Sequence, residues 1–442
     1  MVDVVTNHMG YNGRGSSVDY SVFNPFSSKS YFHPFCPIDY NNELSIQQCW
    51  EGDNKVSLPD LRTEDQAVRD IWNDWIAKMV SRYRIDGLRI DSAKHQEKSF
   101  WPGFTAAAGG LYMAGEVLNG DPNYVAPYQK YMSGLLNYPA FYWVTQAFQS
   151  PSGSISSLAD GINTMKNTAI DLSLYASFLE NHDQQRFAYR TRDMSLAKNA
   201  IAFTLLMDGI PIVYQGQEQH YAGGDDPHNR EALWFSKYNT KSELYTFIAT
   251  LNKLRTRAIK QDAAYLEYKS WPIYSDAHTI AMRKGFDGYQ VVGVYSNVGA
   301  GASFGVTLKS AQTGFRAGEQ LVEVLSCRLV SADGNGNLPV SSRNGSPKVF
   351  YPLARLTGSE LCPSIRGVRD AVATIPNGQT MSSKKGLTKS MASYILAVVL
   401  GGGLFAIARH DRPAKSSSRS ATSVAITFNE IVTTAVGDTV KM

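Results

Sequence analysis

"EDQAVRDIWNDWIAKMVSRY", residues 64–83, runs directly into "RIDGLRID", residues 84–91, and this junction decides the fold. Val68, Ile71, Trp72, Trp75, Ile76, Met79, Val80 and Tyr83 recur at i, i+3 and i+4, which predicts an amphipathic helix. The pattern then switches to a short strand over 85–91. The same alternation recurs downstream: "LYMAGEV" (111–117), "SGLLNYP" (133–139), "YASFLENHD" (175–183) and "IPIVYQG" (210–216) read as strands. Helical stretches separate most of them, including "LAKNAIAFTLLM" (196–207). Upstream, "MVDVV" (1–5) reads as a buried parallel strand. Strand then helix, repeated, implies a parallel α/β sheet or barrel.

Beyond about residue 266 the texture changes. "HTIAMRKG", "YQVVGVYSN", "FGVTLKS", "QLVEVLSC" and "KVFYPLARL" are short strands broken by Gly, Asn and Asp, which predicts a separate antiparallel β domain over 267–362. Residues 1–266 form the α/β part on this reading, with a loop-rich, aromatic insertion over 8–62. A linker spans 363–389. "SMASYILAVVLGGGLFAIA" (390–408) carries no charge and is long enough to cross a bilayer, so membrane attachment is expected there. Residues 409–442 are polar and expected to be disordered.

The chain has 442 residues, 43% hydrophobic and 19% charged, with net charge +4. That positive balance is spread thinly, so nucleic acid has no electrostatic footprint to bind. Cys36 lies near Cys49 and Cys327 near Cys362, and two local bridges are the simplest pairing; four unrelated buried thiols are the alternative. Bridges imply an oxidising compartment, hence a secreted or cell-surface protein. Asn344-Gly345-Ser346 is a weak glycosylation acceptor because Pro347 follows it. No signal peptide stands at Met1, and a core strand opens the chain, so a longer protein is expected.

Polar residues gather at four strand ends: "DVVTNH" (3–8), "GLRIDSAKH" (87–95), "GEV" (115–117) and "FLENHD" (178–183). In a parallel barrel those ends and the loops after them build the active-site face. Arg89 and Asp91, two apart on a strand, share one face, and arginine holds a neighbouring carboxylate ionised, fit to attack an acetal carbon. Glu116 has no arginine nearby in sequence, and a carboxyl so placed is expected to stay protonated as a general acid. Asp183 supplies a third carboxylate. Such a set favours glycoside chemistry, in which a retaining enzyme holds two carboxyls about 5–5.5 Å apart.

In this order, "DVVTNH", "GLRIDSAKH", "GEVL" and "FLENHD" resemble the signature regions of the alpha-amylase family of glycoside hydrolases, and of its fungal, Aspergillus-type members in particular. "SSVDYSVFNPFSS", "NKVSLPDL", "YQGQEQHYAGGDDPHNRE" and "WPIY" extend the resemblance from residue 1 to about 362. It implies a (β/α)8 TIM barrel, truncated at its N-terminus and beginning at the third strand, with an inserted subdomain and a C-terminal antiparallel β-sandwich. It implies a monomeric enzyme cutting α-1,4-glucans endo-wise with retention. Asp91 then resembles the nucleophile, Glu116 the acid/base and Asp183 the transition-state stabiliser. Arg89 resembles the orienting arginine, and His8 and His182 the histidines gripping the sugar. Lys94 and His95 resemble acceptor-side contacts, and Asp226 and Arg230 donor-side contacts. A structural Ca²⁺ is implied, with Asn7 and Asp60 as side-chain ligands and Gln47 and His95 as carbonyl ligands. The positions of a further family disulfide are occupied by Met113 and Ala169.

Two other functions stay open on the sequence. One is an anchored α-glucanotransferase acting on cell-wall α-glucan, to which the apolar segment points. The other is an inactive fragment, because two absent strands would leave bare sheet edges and an unstable barrel.

Overall fold

The computed structural model describes residues 1–365 and, further on, the backbone strands Ala397–Leu400 and Leu404–Ala406. Six short strands line up in parallel in chain order: β1 (Val2–Val4), β2 (Gly87–Ile90), β3 (Tyr112–Gly115), β4 (Gly134–Leu135), β5 (Ala176–Ser177) and β6 (Ile210–Tyr214). A parallel bridge from Leu136 to Ala176 joins β4 to β5. This is the TIM-barrel arrangement that the strand–helix alternation predicts. The helix Gln66–Tyr83 buries Val68, Trp72 and Ile76. It ends at Arg84, whose positive φ of 51° turns the chain back toward β2.

That helix, strands β1–β4 and the aromatic loops before residue 62 share one apolar cluster, in which Phe26 packs on Trp72 with ring centroids 5.3 Å apart. Met113 and Ala169 are both buried in the same cluster, so apolar packing occupies the place of the further disulfide. The four cysteines form Cys36–Cys49 and Cys327–Cys362.

The C-terminal strands are β7 (Trp271–Ser275), β8 (Thr279–Lys284), β9 (Val291–Ser296), β10 (Phe304–Leu308), β11 (Gln320–Glu323), β12 (Arg328–Ser331), β13 (Leu338–Ser342) and β14 (Lys348–Pro352). Six make an antiparallel sheet in the order β12-β11-β14-β9-β8-β7, and β10 pairs with β13. Residues of both sheets, among them Val292, Phe304, Val340 and Phe350, meet in one cluster, which is the predicted sandwich. The other face of the larger sheet, through Met282, Tyr295 and Tyr351, packs on barrel helices through Phe203 and Leu254.

Of the apolar segment 390–408, expected to attach to a membrane, only two short strands are described, and the rest lies outside the described residues. Within 390–408, β15 (Ala397–Leu400) and β16 (Leu404–Ala406) pair antiparallel with each other. β15 runs parallel to β6, and β16 runs antiparallel to β1. Among the described residues no helix is long and apolar enough to cross a membrane. The edges of β1 and β6 are not bare, since β16 and β15 occupy them. The linker 363–389, apart from its first three residues, and the tail 409–442 lie outside the described residues.

Candidate active site

The barrel ladder continues one residue past each strand and so delivers the catalytic candidates. The Asp91 N–H donates to the Val4 carbonyl (3.0 Å), and the Glu116 N–H to the Ile90 carbonyl (2.8 Å). Asp3 and Arg89 are register partners on β1 and β2. These three parallel strands therefore bring Asp3, Arg89, Asp91 and Glu116 together.

Arg89 is the hub. Its buried guanidinium, 3% exposed, bonds Asp91 through Nη1, Asp3 through Nη1 at 3.0 Å and Glu116 through Nη2 at 2.9 Å. One planar fork thus holds Asp91 and Glu116 side by side. The sequence argument that Glu116 lacks an arginine is corrected: Arg89 touches it across the strand pair. Glu116 is nevertheless raised above the ordinary carboxylate range, because burial, with Asp91 and Asp183 nearby, outweighs Arg89. Burial also raises Asp3, against the pull of Arg89.

Ser92 adopts a left-handed conformation, φ 51°, uncommon for a residue with a Cβ. This aims its N–H at Glu116 Oε2 (3.2 Å), while its hydroxyl donates to Asp91 Oδ2 (2.8 Å). The Tyr138 hydroxyl donates to Glu116 Oε1 (3.0 Å) and accepts from Asn181 (3.0 Å). Tyr138→Phe removes a donor that favours ionised Glu116. Its pKa then rises, and the basic limb of the pH–rate profile should move up by about one unit; initial rates across pH measure this.

Asp183 sits at the rim, 3.3 Å from His182 Nε2 and 3.2 Å from Arg230 Nη2. Arg230 also holds Asp226 at 3.1 Å. Lys94 donates to the Leu118 carbonyl (3.2 Å) and lies 4.9 Å over the Tyr40 ring. His95 departs from its expected sugar contact. Its ring is 3% exposed, with Nδ1 on the Ile46 carbonyl (3.0 Å) and Nε2 on Glu51 (3.2 Å), so no face is open to a sugar.

The residues expected to hold a cation lie beside this site. Asn7 Oδ1 and Asp60 Oδ1 are both buried without a hydrogen-bond partner. Leu61 N–H donates to the Asn7 carbonyl and holds the two segments together (2.9 Å). Asp60 Oδ2 is taken by His33 Nδ1 at 2.7 Å. Gln47 stands in the last turn of the helix Glu43–Gln48, whose carbonyls lack helical partners, while its side chain bonds Glu43. Two orphaned oxygens on adjoining segments fit a hard cation. Among the described residues no three His, Cys, Asp or Glu side chains converge as a metal cluster.

Sequence reasoning missed Asp3, Tyr138, Ser92 and Glu51. A carboxylate inside the apolar run "VDVV" was a readable signal for Asp3. Nothing local marks the other three.

The family model for the alpha amylase catalytic domain matches residues 1–242, and that for alpha-amylase domain C matches 272–367. Alpha-amylase 2 of Schwanniomyces occidentalis is 48% identical over 363 residues, 82% of this chain and 71% of that protein. The alpha-amylase of Saccharomycopsis fibuligera is 47% identical with the same coverage. Among solved structures, an alpha-amylase from Malbranchea cinnamomea superimposes with TM-score 0.78 at 49% identity, covering 81% of this chain and 75% of that one. An alpha-amylase from Geobacillus thermoleovorans, complexed with acarbose, follows at TM-score 0.67 and 26% identity, covering 79% and 76%. The chain belongs to the alpha-amylase family, enzymes that hydrolyse α-1,4-glucosidic bonds.

Proposed function

We propose that the site cleaves α-1,4-glucans such as starch endo-wise with retention of configuration, Asp91 acting as nucleophile and Glu116 as acid/base. The observation that carries this is the Arg89 fork, which holds the two carboxyls against one guanidinium. That closeness suits a direct attack and leaves little room for an intervening water. Asp91, bonded to Arg89 and Ser92, is the anion. Glu116, raised by burial, carries the proton.

Glu116 gives its proton to the glycosidic oxygen as the Asp91 carboxylate attacks the anomeric carbon. The C–O bond to the leaving chain breaks, and a glycosyl ester forms on Asp91. Glu116, now ionised, takes a proton from water, whose oxygen attacks the same carbon and releases Asp91. Asp183 faces the positive charge that develops on the sugar. His8 and His182 hydrogen-bond the sugar at the cleavage point. Lys94 serves the acceptor side, and Asp226 and Arg230 the donor side. Every group comes from one chain, in keeping with a monomeric enzyme.

Asn7 and Asp60, with the carbonyls of Gln47 and His95, would hold a Ca²⁺ that locks the loops around residues 8–62 to the barrel ends. Secretion is supported by the two disulfides. The test is proton NMR of the first products from a maltooligosaccharide. The α-anomer should appear first and mutarotate toward β; initial release of the β-anomer would overturn the reading.

A further inference from the structure

Glu51 is not among the catalytic groups or the cation ligands named above, yet it stands between them. Its side chain is 20% exposed. Oε2 lies 3.3 Å from Asn7 Nδ2 and 3.3 Å from His8 Nδ1, and Oε1 lies 3.2 Å from His95 Nε2. Three donors from two barrel strand ends thus converge on one carboxylate.

The chemistry fixes what each partner must do. A carboxylate accepts, so the Asn7 amide presents N–H to Glu51, and its oxygen is the atom left buried and unpartnered. His8 offers Nδ1–H to Glu51, and its Nε2 has no protein partner among the described residues. His95 presents Nδ1 to the Ile46 carbonyl at 3.0 Å and Nε2 to Glu51, so its ring is held from both sides.

We propose that Glu51 is a positioning residue that couples the cation site to the cleavage site. It turns the Asn7 oxygen toward the cation and the His8 Nε2 toward the sugar, and it clamps the ring of His95, whose carbonyl faces the cation. This rests on the calcium and histidine roles proposed above. Outer-shell partners of this kind are worth 10–100-fold in metal affinity or activity.

The test compares the full chain with its Glu51→Leu and Glu51→Gln forms. Calcium affinity is read from the melting midpoint during titration of chelator-treated protein, and kcat and KM are read at saturating calcium. Glu51→Leu should weaken calcium binding about 10–100-fold and lower kcat about tenfold even when calcium saturates. Glu51→Gln, which keeps one acceptor oxygen, should fall between. A Leu variant that melts lower but keeps native calcium affinity and native kcat would overturn the proposal alone. Failure of calcium to move the melting midpoint of the native chain would remove the calcium reading, and the coupling with it.

Discussion

Asp91→Asn is expected to reduce hydrolysis of a maltooligosaccharide by on the order of 10⁴–10⁶-fold, the scale on which loss of a central catalytic group acts. The amide has the size of the carboxylate but cannot form the glycosyl ester. Arg89 would still hold Asp3 and Glu116, so the site should keep its shape and the melting midpoint should change little. A second consequence follows from charge. Asp91 is one of the groups that raise Glu116, so Glu116 in the variant should ionise at lower pH, and any residual activity should lose its basic side first. Glu116→Gln gives the contrasting pattern. It should cost about 10²–10⁴-fold on a sugar leaving group, and much less on an aryl glycoside whose leaving group needs no proton. Rates on both substrates separate the two roles, and an Asp91→Asn enzyme that keeps a hundredth of the native rate would contradict them.

Removal of calcium should have the next largest effect, and on stability more than on the chemical step. Asp60 Oδ1 and Asn7 Oδ1 are buried without partners, and such oxygens are costly unless a cation or donor reaches them. A cation present at about a thousandfold over its Kd contributes roughly 4 kcal/mol to the folded state. Chelation should therefore lower the melting midpoint by several degrees and loosen first the loops between β1 and the helix Gln66–Tyr83. Limited proteolysis should then cut within residues 8–62. Added calcium should restore both properties, and magnesium at equal concentration should not, because it demands a tighter octahedral shell. Identical melting curves with and without chelator would remove the calcium role.

The sequence was most informative where structure is local. The apolar stripe from Val68 to Tyr83 is set by helix geometry alone, and the helix Gln66–Tyr83 follows it. Polar residues at strand ends were equally legible, because an apolar parallel strand has no other reason to finish in Asn-His or Arg-Ile-Asp. Contacts made by register were hidden. Arg89 meets Glu116 only because β2 and β3 pair as they do, and Tyr138 reaches Glu116 from the far side of β4. Glu51 belongs to the same class, since its three partners come from the ends of β1 and β2. The described strands within 390–408 were hidden for a related reason. Nineteen uncharged residues satisfy a bilayer on length, whereas β15 and β16 take their structure from pairing with β6 and β1. His95 was assigned to sugar from its motif, but its burial is set by Ile46 and Glu51, far away in the chain.

The most direct test of the account is to trap the covalent intermediate. The full chain is treated with a 5-fluoro-α-glucosyl fluoride, which forms the glycosyl ester faster than water removes it, and the digested protein is read by mass spectrometry. One glycosyl adduct is expected, on the peptide carrying Asp91, absent from the Asp91→Asn protein. An adduct on another carboxylate, or turnover with no adduct and inverted product, would contradict it.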